Sequence, residues 1–232
     1  MLLILTGPSC VGKDPLLAAL RRCHPELGFV CPVLHASRRP RPGESDGVEF
    51  WFRPAREIAA YDPQRFWVYR LREQYRAVDL DELERQVGEH ERVVVQITPP
   101  AVGPFRDQPR VQALRTPVLA VMLQPADPRE VACAAAAAGR SPVAELADRM
   151  VPKLVRRAQR LGQNLSVTVL EDILVRARAA WAETTETDRC EHVWVNPCAE
   201  GDDAWQTTPP TGHAGELVVR CAALLAGPTP IC

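Results

Sequence analysis

Short apolar runs and segments with helical spacing alternate along the chain. The runs at 2–5, 93–98 and 118–123 are nearly continuous in apolar or β-branched residues, which is typical of buried parallel strands. Weaker patterns predict further strands at 28–34, 48–52, 66–69 and 192–196. Amphipathic spacing predicts helices at 14–24, 53–60, 79–89, about 128–138, 142–161, 167–183 and 216–225.

Strands that alternate with helices predict an α/β fold, with a parallel sheet covered by helices on both faces. Pro152 falls inside the predicted helix 142–161, where we expect a kink or a break. Three proline-rich stretches, 32–54, 99–117 and 197–230, are interpreted as loops or linkers.

The stretch after the first predicted strand has the composition of a phosphate-binding loop. It reads GPSCVGKD and is followed by helical spacing at Leu16, Leu17 and Leu20. Gly7 and Gly12 allow the backbone to turn its N–H groups toward an anion, and Lys13 can reach the β- and γ-phosphates of ATP. The predicted nucleotide-binding residues are therefore Gly7, Pro8, Ser9, Cys10, Val11, Gly12, Lys13 and Asp14.

Position 14 departs from the usual motif, which has Ser or Thr there as a ligand of Mg²⁺. Asp14 offers a carboxylate, which is also a hard oxygen ligand, but it adds a negative charge beside the phosphates. Asp14 is therefore either a substitute Mg²⁺ ligand, together with Ser9, or a sign of lost activity.

Length and charge narrow the class of protein. With 232 residues the chain is long enough for one sizeable α/β domain with additions. The net charge of −1 and pI near 6.5 give no sign of a nucleic-acid or membrane partner. An apolar strand that begins at Leu2 and the lack of a membrane-length apolar run predict a cytoplasmic protein. The eight cysteines lack the spacing of zinc ligands, so we do not expect a zinc site. We expect the protein to be a monomer or a homodimer.

A second motif lies about thirty residues after the loop. The segment SRRPRPGESDGVEF, 37–50, holds arginines in a backbone stiffened by prolines, which suits bidentate binding of a phosphate monoester. With the phosphate loop, this segment resembles that of guanylate kinases and their relatives. The resemblance covers about 1–196 and implies a P-loop kinase fold that uses ATP and Mg²⁺ and acts on a phosphorylated small molecule.

The resemblance implies roles for particular residues. Arg38 and Arg41 would hold the acceptor phosphate, with Tyr75 as a further ligand, and Asn196 would border the adenine of ATP. Lid arginines that close over the γ-phosphate would be Arg140 and Arg149, with Arg156 and Arg157 as further candidates. We expect a single domain with a core at about 1–34, 91–138 and 190–226, an acceptor-binding insertion at 35–90 and a lid at 139–160.

The departures from guanylate kinases concern the acceptor. The positions that read guanine in that family look like Leu34, Val68 and either Gln96 or Thr98, and Phe50 stands where a phosphate-binding Tyr is usual. Sites that recognise a ligand through polar groups discriminate strongly by them. The Gly-Lys-Asp of the loop also resembles a sister family, the ribose 1,5-bisphosphate phosphokinases.

Three hypotheses follow. The first is a kinase that converts ribose 1,5-bisphosphate to 5-phosphoribosyl 1-diphosphate, supported by Asp14 and the missing guanine contacts. The second is a nucleoside monophosphate kinase that converts GMP to GDP, supported by the arginine segment. The third is a kinase-like binding module without catalysis.

Overall fold

The computed structural model describes residues 1–227, and its strands form two sheets. The strands are β1 (Leu2–Thr6), β2 (Leu34–Ala36), β3 (Phe50–Phe52), β4 (Phe66–Leu71), β5 (Gln74–Asp79), β6 (Val93–Gln96), β7 (Val118–Gln124) and β8 (His192–Val195). The end of the last proline-rich stretch, 228–230, and Cys232 lie outside the described residues.

Helices fill most of the chain between the strands. They are α1 (Lys13–Cys23), α2 (Ala55–Ala59), α3 (Leu80–Glu89), α4 (Pro99–Arg106), α5 (Pro109–Gln112), α6 (Pro128–Ala137), α7 (Pro142–Arg160), α8 (Val167–Thr185) and α9 (Gly212–Ala226). Short 3₁₀ helices lie at Pro25–Leu27 and Asp203–Trp205. Side-chain caps match the predicted helix starts: the Asp79 carboxylate accepts from two N–H groups of α3, and Ser141 caps α7.

The first sheet is parallel and has the strand order β6-β1-β7-β8. All five residues of β1 are buried, as a strand packed on both faces requires. In β7 and β8 the register places Val121 opposite His192 and Gln124 opposite Val195. The predicted α/β fold with a parallel sheet flanked by helices is confirmed.

The second sheet is mixed and has the order β3-β2-β5-β4. Directly paired residues on neighbouring strands point to the same side of a sheet. The register therefore defines two faces. The arginine face carries Leu34, Ala36, Phe50, Phe52, Tyr69 and Arg76. The histidine face carries His35, Trp51, Val68, Tyr75 and Ala77.

Several predicted elements need correction, mostly where proline occurs. The predicted strand 28–34 forms only a single bridge, between Val30 and Val93, before β2 begins at Leu34, because Pro32 has no N–H to continue a ladder. The stretch 99–117 contains α4 and α5, since Pro99 and Pro109 occupy first-turn positions where a missing N–H costs little. The other two proline-rich stretches also contain regular elements, β2 and β3 in 32–54 and α9 in 197–230.

Of the kink or break predicted at Pro152, the break is wrong, because α7 continues through this residue, and the kink stays a prediction. The helix begins with a Ser141 cap and buries five side chains along one face, among them Leu146 and Met150. Tertiary packing of this apolar face therefore outweighs the lost hydrogen bond.

The chain divides into two compact units. The first comprises Met1–Ile4 and Phe29–Leu119, and the second comprises Leu5–Gly28 and the chain from Ala120 onward. The phosphate loop belongs to the second unit, and the arginine segment 37–50 belongs to the first. The predicted division into one domain with core, insertion and lid stays a prediction.

Candidate functional site

The phosphate loop links β1 to α1, as its sequence predicts. Gly7 and Gly12 have φ of 136° and 92°, and Cys10 between them has φ of 66°. A Cβ on Gly7 would lie 2.3 Å from the Leu123 carbonyl oxygen, so this position tolerates only glycine. The backbone therefore turns through conformations that expose N–H groups at the start of a helix, which is the arrangement that binds phosphate.

Lys13 closes the loop upon itself. Its Nζ donates to the carbonyl oxygens of Gly7, at 2.6 Å, and Pro8, at 2.9 Å. Burial lowers the pKa of this ammonium, while the charges of Asp14 and Glu200 oppose the shift. A half-buried ammonium whose hydrogen bonds go only to neutral carbonyl oxygens would gain by pairing with an anion.

Asn196 lies behind the loop and supports it. The side chain is fully buried, its Nδ2 donates to the Val11 carbonyl oxygen at 2.7 Å, and its backbone N–H donates to Gln124 O at 2.7 Å. A Cβ on Gly12 would lie 2.4 Å from Asn196 Nδ2. The residue predicted to border the adenine thus also holds the loop backbone in place.

Among the candidate lid arginines, Arg157 is the one that the second unit places at the loop. Its Nε lies 2.9 Å from Glu200 Oε2, with both side chains largely buried, and its guanidinium hydrogen-bonds the Cys10 side chain. Arg140 pairs instead with Asp148, and Arg149 donates to Glu145 at 2.8 Å. Arg156 is exposed.

Cys10 is buried within the loop, and its Sγ donates to the Lys153 carbonyl oxygen at 3.7 Å. Burial raises the pKa of the Cys10 thiol to about 11, although Arg157 and Lys13 favour the thiolate. The thiol is therefore protonated at neutral pH.

In the first unit, the arginine segment forms a cluster around one carboxylate. Arg38 donates to both oxygens of Glu44, at 2.5 and 2.6 Å, and the Arg41 backbone N–H donates to Glu44 Oε2 at 2.7 Å. Burial alone would raise the pKa of Glu44, but these hydrogen bonds outweigh it and lower the pKa. Glu44 thus pairs with the Arg38 guanidinium in a bidentate fork and holds Arg41 through its backbone, with the Arg41 guanidinium 3.8 Å from Glu44 Oε1.

Aromatic rings of the arginine face lie against this cluster. The Arg38 guanidinium carbon is 5.1 Å from the ring centroid of Phe50 and 5.2 Å from that of Phe52. Arg76 approaches Phe50 more closely, at 4.6 Å, and is 8% exposed. Two guanidinium groups therefore lie beside one ring.

The sheet separates the predicted acceptor residues. Leu34 and Phe50 share the arginine face, whereas Val68 and Tyr75 lie on the histidine face, so Val68 and Tyr75 do not join the Arg38 cluster. The Tyr75 backbone N–H contacts the arginine segment by donating to Ser37 Oγ at 2.8 Å.

On the arginine face the hairpin presents not Val68 and Tyr75 but Tyr69 and Arg76. They are opposite each other in the hairpin, and the Tyr69 hydroxyl hydrogen-bonds the Thr98 side chain. Burial raises the pKa of Tyr69 to about 12. A two-residue turn at Arg72 and Glu73 places Tyr69 opposite Arg76, so recognition of this turn in the sequence would have predicted that they share a face. The turn lacks the Asn-Gly pair that usually marks such a hairpin.

Within residues 1–227, no cluster of three or more His, Cys, Asp or Glu side chains could hold a metal ion by itself. Asp14 lies exposed in the first turn of α1, directly after Lys13, and Ser9 is partly exposed in the loop. Hard oxygen donors at these positions fit Mg²⁺ that arrives with a nucleotide, since Mg²⁺ is commonly held by one or two protein oxygens and phosphates.

The first part of the chain is similar to guanylate kinases. Residues 1–66 match the Guanylate kinase family model. A guanylate kinase from Synechococcus sp. (strain JA-3-3Ab) is 52% identical over 57 residues, which are 25% of this chain and 25% of the relative. One from Frankia casuarinae is 52% identical over 58 residues, which are 25% of this chain and 30% of the relative. The chain thus matches only a quarter to a third of these relatives' length.

The fold extends the similarity to the rest of the chain. A crystal structure of guanylate kinase from Anaplasma phagocytophilum superposes with a TM-score of 0.58 at 15% identity, covering 97% of this chain and 84% of that structure. The predicted resemblance to guanylate-kinase-like P-loop kinases is confirmed, by sequence over 1–66 and by fold over nearly all of the chain.

No helix within 1–227 is both long and apolar enough to span a membrane.

Proposed function

We propose that the protein is an ATP-dependent kinase that transfers the γ-phosphate to a small molecule already bearing a phosphate. The observation that carries this proposal is the phosphate loop, with Lys13 folded over it and Asn196 bracing it. Phosphoryl transfer asks a protein mainly for positioning and charge neutralisation. An acceptor that reacts through a phosphate oxygen needs no general base.

Each unit supplies residues for one substrate. In the second unit Lys13 and the loop N–H groups bind the donor, and Arg157 supplies further positive charge once an anion competes with Glu200. Asp14 and Ser9 would hold Mg²⁺, which neutralises charge between the β- and γ-phosphates when bound. In the first unit Arg38 and Arg41 bind the acceptor phosphate. The predicted lid roles of Arg140 and Arg149 stay predictions.

GMP is the first acceptor to test. The part of the chain that matches guanylate kinases, 1–66, contains both the phosphate loop and the arginine segment. Ribose 1,5-bisphosphate is the second candidate, because Leu34 and Phe50 offer no polar groups to a guanine base on the arginine face. The sequence alone favours ribose 1,5-bisphosphate over GMP, and the match to guanylate kinases reverses that order. Cytoplasmic location and a monomeric or homodimeric state also stay part of the proposal.

The test is a coupled assay of ATP consumption with Mg²⁺, run in parallel on GMP, other nucleoside monophosphates and ribose 1,5-bisphosphate. Lys13→Met and Arg38→Met keep side-chain length and remove the charge, so each should lower kcat/KM by at least about 100-fold. Arg39→Ala is the matched control, since Arg39 is exposed and offers Arg38 only its backbone oxygen.

The acceptor that is turned over identifies the reaction. Turnover of GMP supports the guanylate kinase hypothesis, and turnover of the sugar bisphosphate supports the other. ATP binding without turnover of any acceptor would overturn the kinase proposal and favour the binding module.

A further inference from the structure

The hairpin β4–β5 brings a third arginine to the acceptor side of the first unit. Arg76 pairs with Ala36 of β2 on one side and with Tyr69 of β4 on the other. Because paired residues share a face, its side chain rises from the same face as Phe50 and Phe52, which line the Arg38 guanidinium. Neither the phosphate loop nor the arginine segment includes this residue.

Phe50 is the point at which the two guanidinium groups approach each other. The Arg38 guanidinium carbon is 5.1 Å from its centroid and that of Arg76 is 4.6 Å from it. A ring face attracts a cation, so Phe50 can hold both like charges close together. Arg38 is also held by Glu44, and both guanidinium groups lie at a largely buried position where charge pairing with a ligand is strong.

Two tyrosine hydroxyl groups that the family resemblance predicts as phosphate ligands are missing beside the Arg38 and Arg76 guanidinium groups. Phe50 stands where a phosphate-binding Tyr is usual and has no hydroxyl. Tyr75, the other expected phosphate ligand, lies on the histidine face. A guanidinium on the arginine face can donate several hydrogen bonds in place of the two absent phenols.

We propose that Arg76 is an acceptor-binding residue, which holds the acceptor phosphate together with Arg38 and Arg41. This inference rests on the proposed function for the identity of the ligand as a phosphate monoester. It does not depend on what the phosphate is attached to, since Arg76 would bind the phosphate itself. Arg76 therefore contributes equally to affinity for a nucleotide and for a sugar phosphate.

Binding to the acceptor side can be measured without catalysis. The protein is saturated with ADP, so that the phosphate loop is occupied, and titrated calorimetrically with GMP and separately with ribose 5-phosphate. Arg76→Met should raise the Kd of both esters by about 10- to 100-fold, the loss of a charge-assisted hydrogen bond in a buried site. Arg76→Lys, which keeps the charge but not the fork, should lose less.

Two further variants separate binding from folding. Arg70→Met alters an exposed arginine on the histidine face of the same hairpin and should leave both Kd values unchanged. Phe50→Tyr in the Arg76→Met background restores a hydroxyl and should recover part of the affinity, which a purely structural role for Arg76 would not allow. Thermal unfolding of each variant verifies that it is folded.

The proposal is overturned if Arg76→Met binds both esters like wild type, if only one ester is affected, or if wild-type protein binds neither. These outcomes differ from failure of the proposed function. If the esters bind through Arg76 but no acceptor is turned over, the binding role of Arg76 is supported and the kinase proposal is refuted. If Arg76→Met turns over an acceptor with a normal KM, the kinase proposal is supported and the binding role of Arg76 is refuted.

Discussion

At the scale of single residues, the phosphate loop depends on the space behind Gly12. Gly12 has φ of 92°, and a Cβ added to it would meet Asn196 and Trp205, so neither the backbone conformation nor the surroundings admit a side chain. Helical Gly88 has no atom within 4 Å of the position that a Cβ would take. Glycine is therefore required at position 12, whereas position 88 has room for a side chain.

Gly12→Ala should destabilise the protein by at least about 1 to 3 kcal/mol and abolish ATP binding, because it adds strain at positive φ and displaces Asn196. Gly88→Ala should instead stabilise α3 by about 0.5 to 1 kcal/mol. Denaturant unfolding and ATP titration measure both effects. Normal ATP binding by Gly12→Ala would show that the loop does not need its observed conformation.

Cys10 should react slowly with thiol reagents, even though it lies within the predicted nucleotide site. Its raised pKa of about 11 keeps the thiol protonated at pH 8, and its labelling rate should rise about tenfold per pH unit between pH 8 and 10. Exposed Cys133 provides the internal comparison. Peptide mass spectrometry after brief iodoacetamide treatment measures both, and equal labelling of Cys10 and Cys133 at pH 8 would contradict the expectation.

At the scale of elements, the sequence predicts the existence of most helices and strands but not the register of the hairpin. Continuous apolar runs and caps such as Asp79 and Ser141 are local signals, and the corresponding elements formed as expected. Which residues of β4 and β5 face Arg38 depends instead on pairing across a turn. An offset of one residue exchanges the faces, so the family resemblance that pointed to Val68 and Tyr75 does not by itself show that both lie on the histidine face.

Proline also shows the difference between local preference and tertiary packing. Pro142 and Pro152 both lie in α7, but the first occupies the initial turn and the second the interior. An interior proline removes one helical hydrogen bond and crowds the preceding turn, and packing of the apolar face compensates for that cost. The local rule therefore describes a cost of the interior proline, but it does not predict that the helix continues through it.

Pro152→Ala should therefore raise the free energy of unfolding by about 1 to 3 kcal/mol, since Pro152 is exposed and its replacement restores an N–H donor. Pro142→Ala should change it by less than about 0.5 kcal/mol, because a first-turn N–H has no helical partner. Thermal unfolding of the two variants beside wild type makes the comparison. A lower Tm for Pro152→Ala would mean that the helix requires the proline geometry.

At the scale of the whole molecule, the residues proposed to bind the two substrates belong to different units. The matched region 1–66 contributes to both units, whereas the fold shared with the Anaplasma guanylate kinase covers 97% of the chain at 15% identity. The sequence match and the shared fold thus have different extents. Sequence matching identifies the short motifs, whereas burial and packing maintain the sheets over the whole length.

Hydrogen exchange should separate the two ligands. ADP should slow amide exchange in the loop at 7–13 and around Asn196, because those N–H groups lie at the proposed donor site. GMP alone should slow exchange at 37–52 and 74–78. Mass spectrometry of peptides with each ligand tests this, and protection of 37–52 by ADP alone, or of 7–13 by GMP alone, would contradict the assignment.

The hydrogen bond from Asn196 to Val11 joins residues 185 positions apart. Synthesis runs from the N-terminus at about 5 to 20 residues per second, so the motif leaves the ribosome about 10 to 40 seconds before the amide that braces it. During that interval the nascent chain contains the whole GPSCVGKD motif but not the Asn196 side chain that hydrogen-bonds its backbone. We expect a ribosome-stalled chain ending before Asn196 to pass through an ATP resin, whereas the completed chain is retained.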